Sequence, residues 1–205
     1  MKRKMHSLTF LALVTVLFGC YPEGPEYADE LDIAYSNFDK DYNFAAKGTY
    51  SMPDKIVIIT GKDNAPPEYI KDIYAVPILA QIDQNMKALG WTKVAGNTNE
   101  DVQLMPASWS STTIIYGGYY GGYWCWYYPY YCGGGWYYPY YPVSSYSTGS
   151  LVMTMTDPNL ESTDGSKRVV WTGAINGLLS GSYNGGRVAK GIDQVFTQSP
   201  YLKTN

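Results

Sequence analysis

Histidine is nearly missing from this 205-residue chain: its single imidazole, His6, lies in a segment that reads as a cleavable leader. Without it the mature chain has no imidazole for general base, proton shuttle or metal ligand, which excludes Ser-His-Asp, Cys-His and His-zinc chemistries together. Cysteine is scarce too, with three in all. Two of these lie well beyond the leader, and with no histidine beside them they make a poor zinc site, so neither metal nor cofactor is expected. Basic charge is the third shortage. Removing Lys2, Arg3 and Lys4 with the leader leaves 12 basic against 18 acidic residues, a formal charge of −6, which argues against general nucleic-acid binding. Long apolar runs are absent beyond Leu8 to Phe18, which is too short to span a bilayer as a stable helix.

That run follows the basic Met1 to Lys4 and ends in Leu17-Phe18-Gly19-Cys20, so residues 1–19 read as an export signal. Gly19 before Cys20 resembles the lipobox of bacterial lipoproteins, where the cysteine thiol receives a diacylglycerol and becomes the new N-terminus. Phe18 stands where a small or aliphatic residue is usual. The expected partner is therefore a membrane, held through lipid on Cys20, and the expected location is the bacterial cell envelope, anchored to the outer membrane on its periplasmic or its outer face. Each buried acyl methylene contributes ~0.8 kcal/mol, so several chains give durable anchoring. With Cys20 assigned to lipid, Cys125 and Cys132 remain as a pair in an exported protein. A local disulfide is the leading expectation and two free thiols the alternative.

Residues 20–32 hold five acids (Glu23, Glu26, Asp29, Glu30 and Asp32), two prolines and no base, the composition of a solvated tether. Residues 33–200 then read as one domain. The alternation Leu31, Ile33, Tyr35 starts a strand, a second extended piece lies around Gly48 to Met52, and the β-branched run Ile56-Val57-Ile58-Ile59 suggests a buried strand. Asp63 and Asn64 before Pro66-Pro67 mark a helix start. Ile70, Tyr74, Ile78, Ile82, Met86 and Leu89 then share one face until Gly90, with a kink or a break into two helices expected at Pro77. Strands over Val102 to Tyr116, Ser145 to Thr156 and Arg168 to Ile175 are each expected to bury one face, with Asp157-Pro158-Asn159 and Asp164-Gly165 marking the connection between the last two. Val188, Ile192, Val195 and Phe196 line a closing helix that Pro200 ends. The predicted class is α+β: a mostly antiparallel sheet, about two helices packed on one face, and an inserted loop rich in Tyr and Gly. Its core is expected to hold Ile82, Met86, Leu151, Met153, Met155, Trp171 and Phe196.

This order resembles a family of bacterial lipoproteins known as domain of unknown function 4136. The residues that carry the resemblance are Tyr35-Ser36-Asn37-Phe38-Asp39 with Thr49-Tyr50, Ala88-Leu89-Gly90-Trp91 within Ile82 to Val94, Gly149-Ser150-Leu151 with Asp157, Val170-Trp171-Thr172-Gly173, and Ile192 to Pro200. The resemblance covers most of the mature chain outside residues 117–146. It implies an exported, membrane-anchored α+β domain and carries over no catalytic residue.

From Val102 through Thr156 the chain has no formal charge, and Tyr116 to Tyr146 contains 13 tyrosines, three tryptophans and seven glycines. The hexapeptide Trp-Tyr-Tyr-Pro-Tyr-Tyr occurs at 126–131 and again at 136–141, the mark of an element grown by repetition. On one extended strand Cys125 and Cys132 would stand about 23 Å apart, whereas a disulfide needs Cα atoms roughly 5.5 Å apart, so a bridge requires the chain to reverse near Tyr128-Pro129. Tyrosine joins a broad apolar face to a hydroxyl at little rotamer entropy, which suits binding loops and bilayer interfaces. Tyr123, Trp124, Trp126, Tyr127, Tyr128, Trp136, Tyr137 and Tyr138 are therefore the candidate binding residues. Three readings stay open for them: packing on their own domain, contact with an envelope protein or a glycan, and insertion at a membrane interface.

Catalysis is not expected. Glu161 with Asp164, and the cluster Asp29, Glu30 and Asp32, are the carboxylate sets that a glycoside hydrolase would need, but all fall in predicted turns or tether. The glycine pairs lack the strand, helix and lysine context of a phosphate loop. The function expected is a non-enzymatic structural or binding protein of the envelope. The alternatives are a glycan-binding module that stacks Tyr and Trp on sugar rings and, further off, a carboxylate-dependent hydrolase.

Overall fold

A computed structural model of the chain describes residues 33–60, 68–96, 99–109, 113–114, 136–137, 145–146, 149–161, 167–179 and 181–205. The fold is α+β, a mostly antiparallel mixed sheet with two helices. Strands β1 (Ala34–Phe38), β2 (Thr49–Ser51), β3 (Val57–Ile59) and β4 (Glu68–Tyr69) precede helix α1 (Asp72–Ala88). Then come β5 (Thr92–Lys93), β6 (Val102–Trp109), β7 (Thr113–Ile114), β8 (Trp136–Tyr137), β9 (Ser145–Tyr146), β10 (Ser150–Glu161), β11 (Lys167–Ile175) and helix α2 (Gly185–Thr197). The main sheet runs β1-β11-β10-β6-β2-β5, and β3 pairs with the second half of β6 on the edge whose first half pairs with β2. Strands β7 and β9 form a separate small ladder.

The helices pack on one face of this sheet. Their apolar stripes (Ala75, Ile78, Leu79, Ile82 and Met86 on α1; Val188, Ile192, Val195 and Phe196 on α2) meet Leu104, Leu151, Met153, Met155 and Trp171 in one core. All seven core residues expected from the sequence are buried there. The family-like motifs turn out to be packing devices. In Ala88-Leu89-Gly90-Trp91, Gly90 takes φ +96° beside Thr204, where a side chain would collide with the threonine hydroxyl. The buried Trp91 indole donates to the Leu202 carbonyl at 2.7 Å. In Val170-Trp171-Thr172-Gly173, a Cβ on Gly173 would fall 2.5 Å from Val195 and 2.6 Å from the Trp171 ring, so glycine is what lets α2 and the indole close over the strand. Trp171 Nε1 donates to Ser199 Oγ at 3.1 Å.

Several sequence expectations change. The first helix begins at Asp72, because Glu68 and Tyr69 pair with β3 instead. It runs unbroken through Pro77. The proline lies early in the helix, and the carbonyl it leaves without an i+4 amide partner belongs to Ile73, a residue on the exposed side of the helix. The central strands are not one-sided. Every position of β6 is buried, and Met105, Ala107, Val152 and Val169 lie buried outside the helix-side core. Val169 and Trp171 were expected on one face, but a register shift between Met155 and Thr156 leaves Val170 as an extra residue on β11. Val170 therefore joins the helix-side core with Trp171, and Val169 does not. Finally, β10 continues through Asp157-Pro158-Asn159 to Glu161, so this tripeptide is strand and not the predicted connection.

Two ends of the sheet follow from this topology. One carries the start of β1, the end of β6 and the end of β11. Ile33 accepts from the Asn176 amide there, and Gly149 N donates to Trp109 O at 2.6 Å, which joins the two roots of the aromatic insertion. Both helices begin at this end: the Tyr74 and Tyr183 rings meet at a tilt of 42° with centroids 4.6 Å apart, and Arg187 Nη2 donates to Gly177 O. The helices then run side by side in the same direction, tied by Gln81 and Asn85 of α1 donating to Asp193 of α2, each at 2.7 Å. The opposite end holds the loop after β1, the start of β6, the far part of β10 and the start of β11.

Candidate functional site

The candidate binding residues of the insertion fall mostly outside the described residues: this holds for Tyr123, Trp124, Trp126, Tyr127, Tyr128 and Tyr138, as it does for Cys20, Cys125 and Cys132. Trp136 and Tyr137 are placed by their backbone. They form β8, which runs parallel to β11 with Trp136 level with Lys167 and Tyr137 level with Arg168. The second hexapeptide repeat thus begins on the sheet, beside the strand that β1 pairs with further along. An insertion rooted at one end of the sheet is stitched to the other.

At that other end the structure gathers charges which the sequence scatters. Asp157 is fully buried; its Oδ2 accepts from the Tyr42 hydroxyl at 2.8 Å and from Lys47 Nζ at 3.0 Å, and its Oδ1 accepts from the Asn159 amide at 2.8 Å. Burial, then the charge of Asp157 and the hydrogen bond to it, hold the Tyr42 phenol far above its ordinary value, so it stays a neutral donor. Lys47 also lies over the Tyr42 ring, 5.5 Å from its centre. Beside this group, Asp39 and Arg168 meet as an ion pair, and Asp39 Oδ1 accepts from the Asp41 amide.

Two further carboxylates fasten the same end. Asp101 Oδ2 accepts from the amides of Gly48 and Thr49 and from the Thr49 hydroxyl, each at 2.9 Å. Burial pushes the Asp101 carboxyl up, but those three donors and Lys47 pull it further down, leaving it below the ordinary value. The buried Glu100 accepts from Gln103 Nε2 at 2.9 Å and from Ser51 Oγ at 3.2 Å. On the outside of α1, Asp83 accepts from the Tyr50 hydroxyl at 2.5 Å and pairs with Lys87 at 2.6 Å.

Sequence reasoning missed this network. Its members span 110 positions between Lys47 and Asp157, and Asp-Pro-Asn is ordinarily a turn signal. One signal was present: Asp157 is the first charge after 55 uncharged residues, and it and Asp39 both belong to the motifs quoted for the family resemblance. Of the carboxylates singled out for hydrolysis, Glu161 ends β10, whereas Asp164, Asp29, Glu30 and Asp32 lie outside the described residues. Among the described residues no group of three or more His, Cys, Asp or Glu is placed to hold a metal.

The end where β1 begins differs. An open cleft of about 530 Å³ lies between Ala34 and the first half of α2, lined by Asn184, Gly186, Arg187, Lys190, Gly191 and Gln194. Asn184 caps the helix by accepting from the Arg187 amide at 3.1 Å. Around it, Ile33, Ile73, Tyr74, Val76 and Tyr183 stand exposed.

Comparison with known proteins places the chain. A family profile described as "Domain of unknown function (DUF4136)" matches residues 34–201. The crystal structure of a DUF4136 family protein from Bacteroides thetaiotaomicron is 35% identical, with a TM-score of 0.65 over 84% of this chain and 97% of that one. The PelC dodecamer from Paraburkholderia phytofirmans is 12% identical at a TM-score of 0.40, over 85% of this chain and 99% of that one. A PDZ domain protein from Parabacteroides distasonis is 14% identical at a TM-score of 0.41, over 83% of this chain and 36% of that one. No curated protein matches the chain. With its sheet, its two tryptophan motifs and its closing helix all inside the matched span, the chain belongs to the DUF4136 family.

Proposed function

We propose that this protein is a lipid-anchored, non-enzymatic binding protein of the bacterial cell envelope, held at the outer membrane through Cys20, and that its aromatic insertion is the element that contacts a partner. The observation that carries the binding role is the docking of Trp136 and Tyr137 on β11. It holds part of a Tyr- and Trp-rich, charge-free segment against a rigid strand, and pre-ordering an aromatic surface reduces the entropy lost when it meets a ligand. Support for a non-catalytic role comes from the carboxylates at the same end. Asp39, Asp157, Asp101 and Glu100 already accept from named donors or pair with named cations, so their lone pairs serve the fold instead of an acid–base pair facing a cleft.

A cell-envelope pull-down of the full chain against a version lacking residues 117–146 tests the binding role: partners retained by the first and lost by the second support it, and identical recovery overturns it. A glycan array separates the second reading, because sugar binding that vanishes in Trp126→Ala with Trp136→Ala would make the partner a glycan. The anchor is tested by Cys20→Ser. Release of that variant from the membrane fraction is expected, and its firm retention would overturn the lipid reading.

A further inference from the structure

The large apolar side chains that stand exposed among the described residues are strongly biased in position. Of the six, Ile33, Ile73, Tyr74, Val76 and Tyr183 lie at the end where β1 begins, and Leu160 alone lies elsewhere. Ile73 and Val76, 74% and 60% exposed, are three residues apart on α1 and so share one outward face. Tyr74 and Tyr183 join the two helix starts through their ring contact. Arg187 and Lys190 flank them on α2, and Lys71 and Asp72 offset each other at the start of α1. Ile33, 55% exposed, stands where the tether meets the domain.

From these placements we infer that the end of the domain bearing Ile33, Ile73, Tyr74, Val76 and Tyr183 rests on the lipid bilayer, an inference that depends on the anchored reading above. Thirteen chain steps lead from Cys20 to Ile33, a reach of at most about 45 Å at ~3.4 Å per residue. A domain on so short a leash meets the bilayer at high effective concentration, so a small apolar patch suffices to set its orientation. The first described residue of the domain, Ile33, belongs to the patch itself. The chemistry fits a bilayer: Ile and Val side chains enter the acyl boundary, tyrosines favour the headgroup level, and the exposed Lys190 keeps its stem on apolar surface while its charge reaches anionic headgroups. The opposite end, with its buried and paired carboxylates and the backbone pairing of β8 on β11, then faces away from the membrane.

The test uses full-length lipidated protein in vesicles of phosphatidylethanolamine and phosphatidylglycerol whose acyl chains carry bromine. In a Cys125→Ser, Cys132→Ser background, a fluorophore is attached at Ile73→Cys or Val76→Cys and, for the opposite end, at Lys40→Cys or Lys203→Cys. Quenching several-fold stronger at 73 and 76 than at 40 and 203 is expected. Hydroxyl-radical labelling of the protein with its native cysteines gives a second readout, in which Tyr74 and Tyr183 lose reactivity on vesicles and Tyr201 does not. Equal quenching at all four positions with unchanged tyrosine labelling would overturn the orientation while leaving the anchor intact. Crosslinking of two copies through position 73 without bromine quenching would overturn it in favour of self-association. Failure of the protein to float with vesicles would overturn the anchored reading and this one with it.

Discussion

Asp39, Asp101 and Asp157 each have an answering donor or cation, whereas where β1 begins, isoleucine, valine and tyrosine side chains stand in solvent. Both ends serve the same sheet, and they share the neighbouring strands β1, β10 and β11. The charged end closes a long loop. Residues 39–48 connect β1 to β2, and Asp157 on β10, Arg168 on β11 and Asp101 just before β6 hold that loop. The other end joins the roots of the insertion through Gly149 and Trp109, but its exposed apolar side chains close nothing. Leaving large apolar side chains uncovered there has no folding benefit, and their grouping is what the bilayer contact inferred above would use.

This contrast is broken most severely by attacking what both ends depend on. Trp171 is fully buried between them, under α2 and against Phe196, 5.5 Å ring to ring, with its indole bound to Ser199. Trp171→Ala should lower the unfolding free energy by about 3–5 kcal/mol in a denaturant titration. A loss below about 1 kcal/mol would mean that the helices are not seated on the sheet as described, and neither end would then have a defined position.

A smaller change separates the charged end from the rest. Lys47→Met leaves the Asp157 carboxylate buried with only the Tyr42 hydroxyl and the Asn159 amide as donors, and should cost about 1–3 kcal/mol. Adding Asp157→Asn removes the stranded charge while keeping an acceptor for Tyr42. The double variant should therefore recover part of the loss, a coupling that a thermodynamic cycle measures directly. Strict additivity would show that the two groups do not interact. Ile73→Glu in parallel should leave stability within about 0.5 kcal/mol, as expected for an exposed position outside both core and network.

How much of this was legible follows the range over which each interaction acts. The helix stripe from Ile78 to Met86 and the Leu151, Met153, Met155 alternation are local periodicities, and the structure buries all of them. The continuous burial of β6 depends on neighbours on both faces, which a single strand's pattern does not encode. Asp157 shows the limit most clearly. Its short-range context, Asp-Pro-Asn, spells a turn, while its actual role is set by Tyr42 and Lys47 more than a hundred residues away. The exposed patch was invisible for the same reason, because Tyr74 meets Tyr183 only after α1 and α2 align.

The finest test asks whether the charged end responds to acid as its geometry requires. Asp101 and Asp83 both have carboxyls held below the ordinary value near 3.8; in each, burial alone would raise it and is outweighed, by the Gly48 and Thr49 donors at Asp101 and by Lys87 and Tyr50 at Asp83. A carboxyl depressed in the folded state contributes stability that is present above its unfolded value and is lost as pH falls through the folded one. Unfolding free energy should therefore be insensitive to these groups at neutral pH and should decline below about pH 4. Both groups are half-buried and screened in part by solvent, so the contribution of each is small. Asp101→Asn retains an oxygen to accept from Gly48 and Thr49 but has no proton to gain. Denaturant titrations from pH 7 to pH 3 should show a small loss for this variant at the neutral end and a shallower decline at the acid end. If the acid limb kept its full slope in both Asp101→Asn and Asp83→Asn, the acid sensitivity would lie in other carboxylates, and the assignment of Asp101 as the charged clasp of the 39–48 loop would fail.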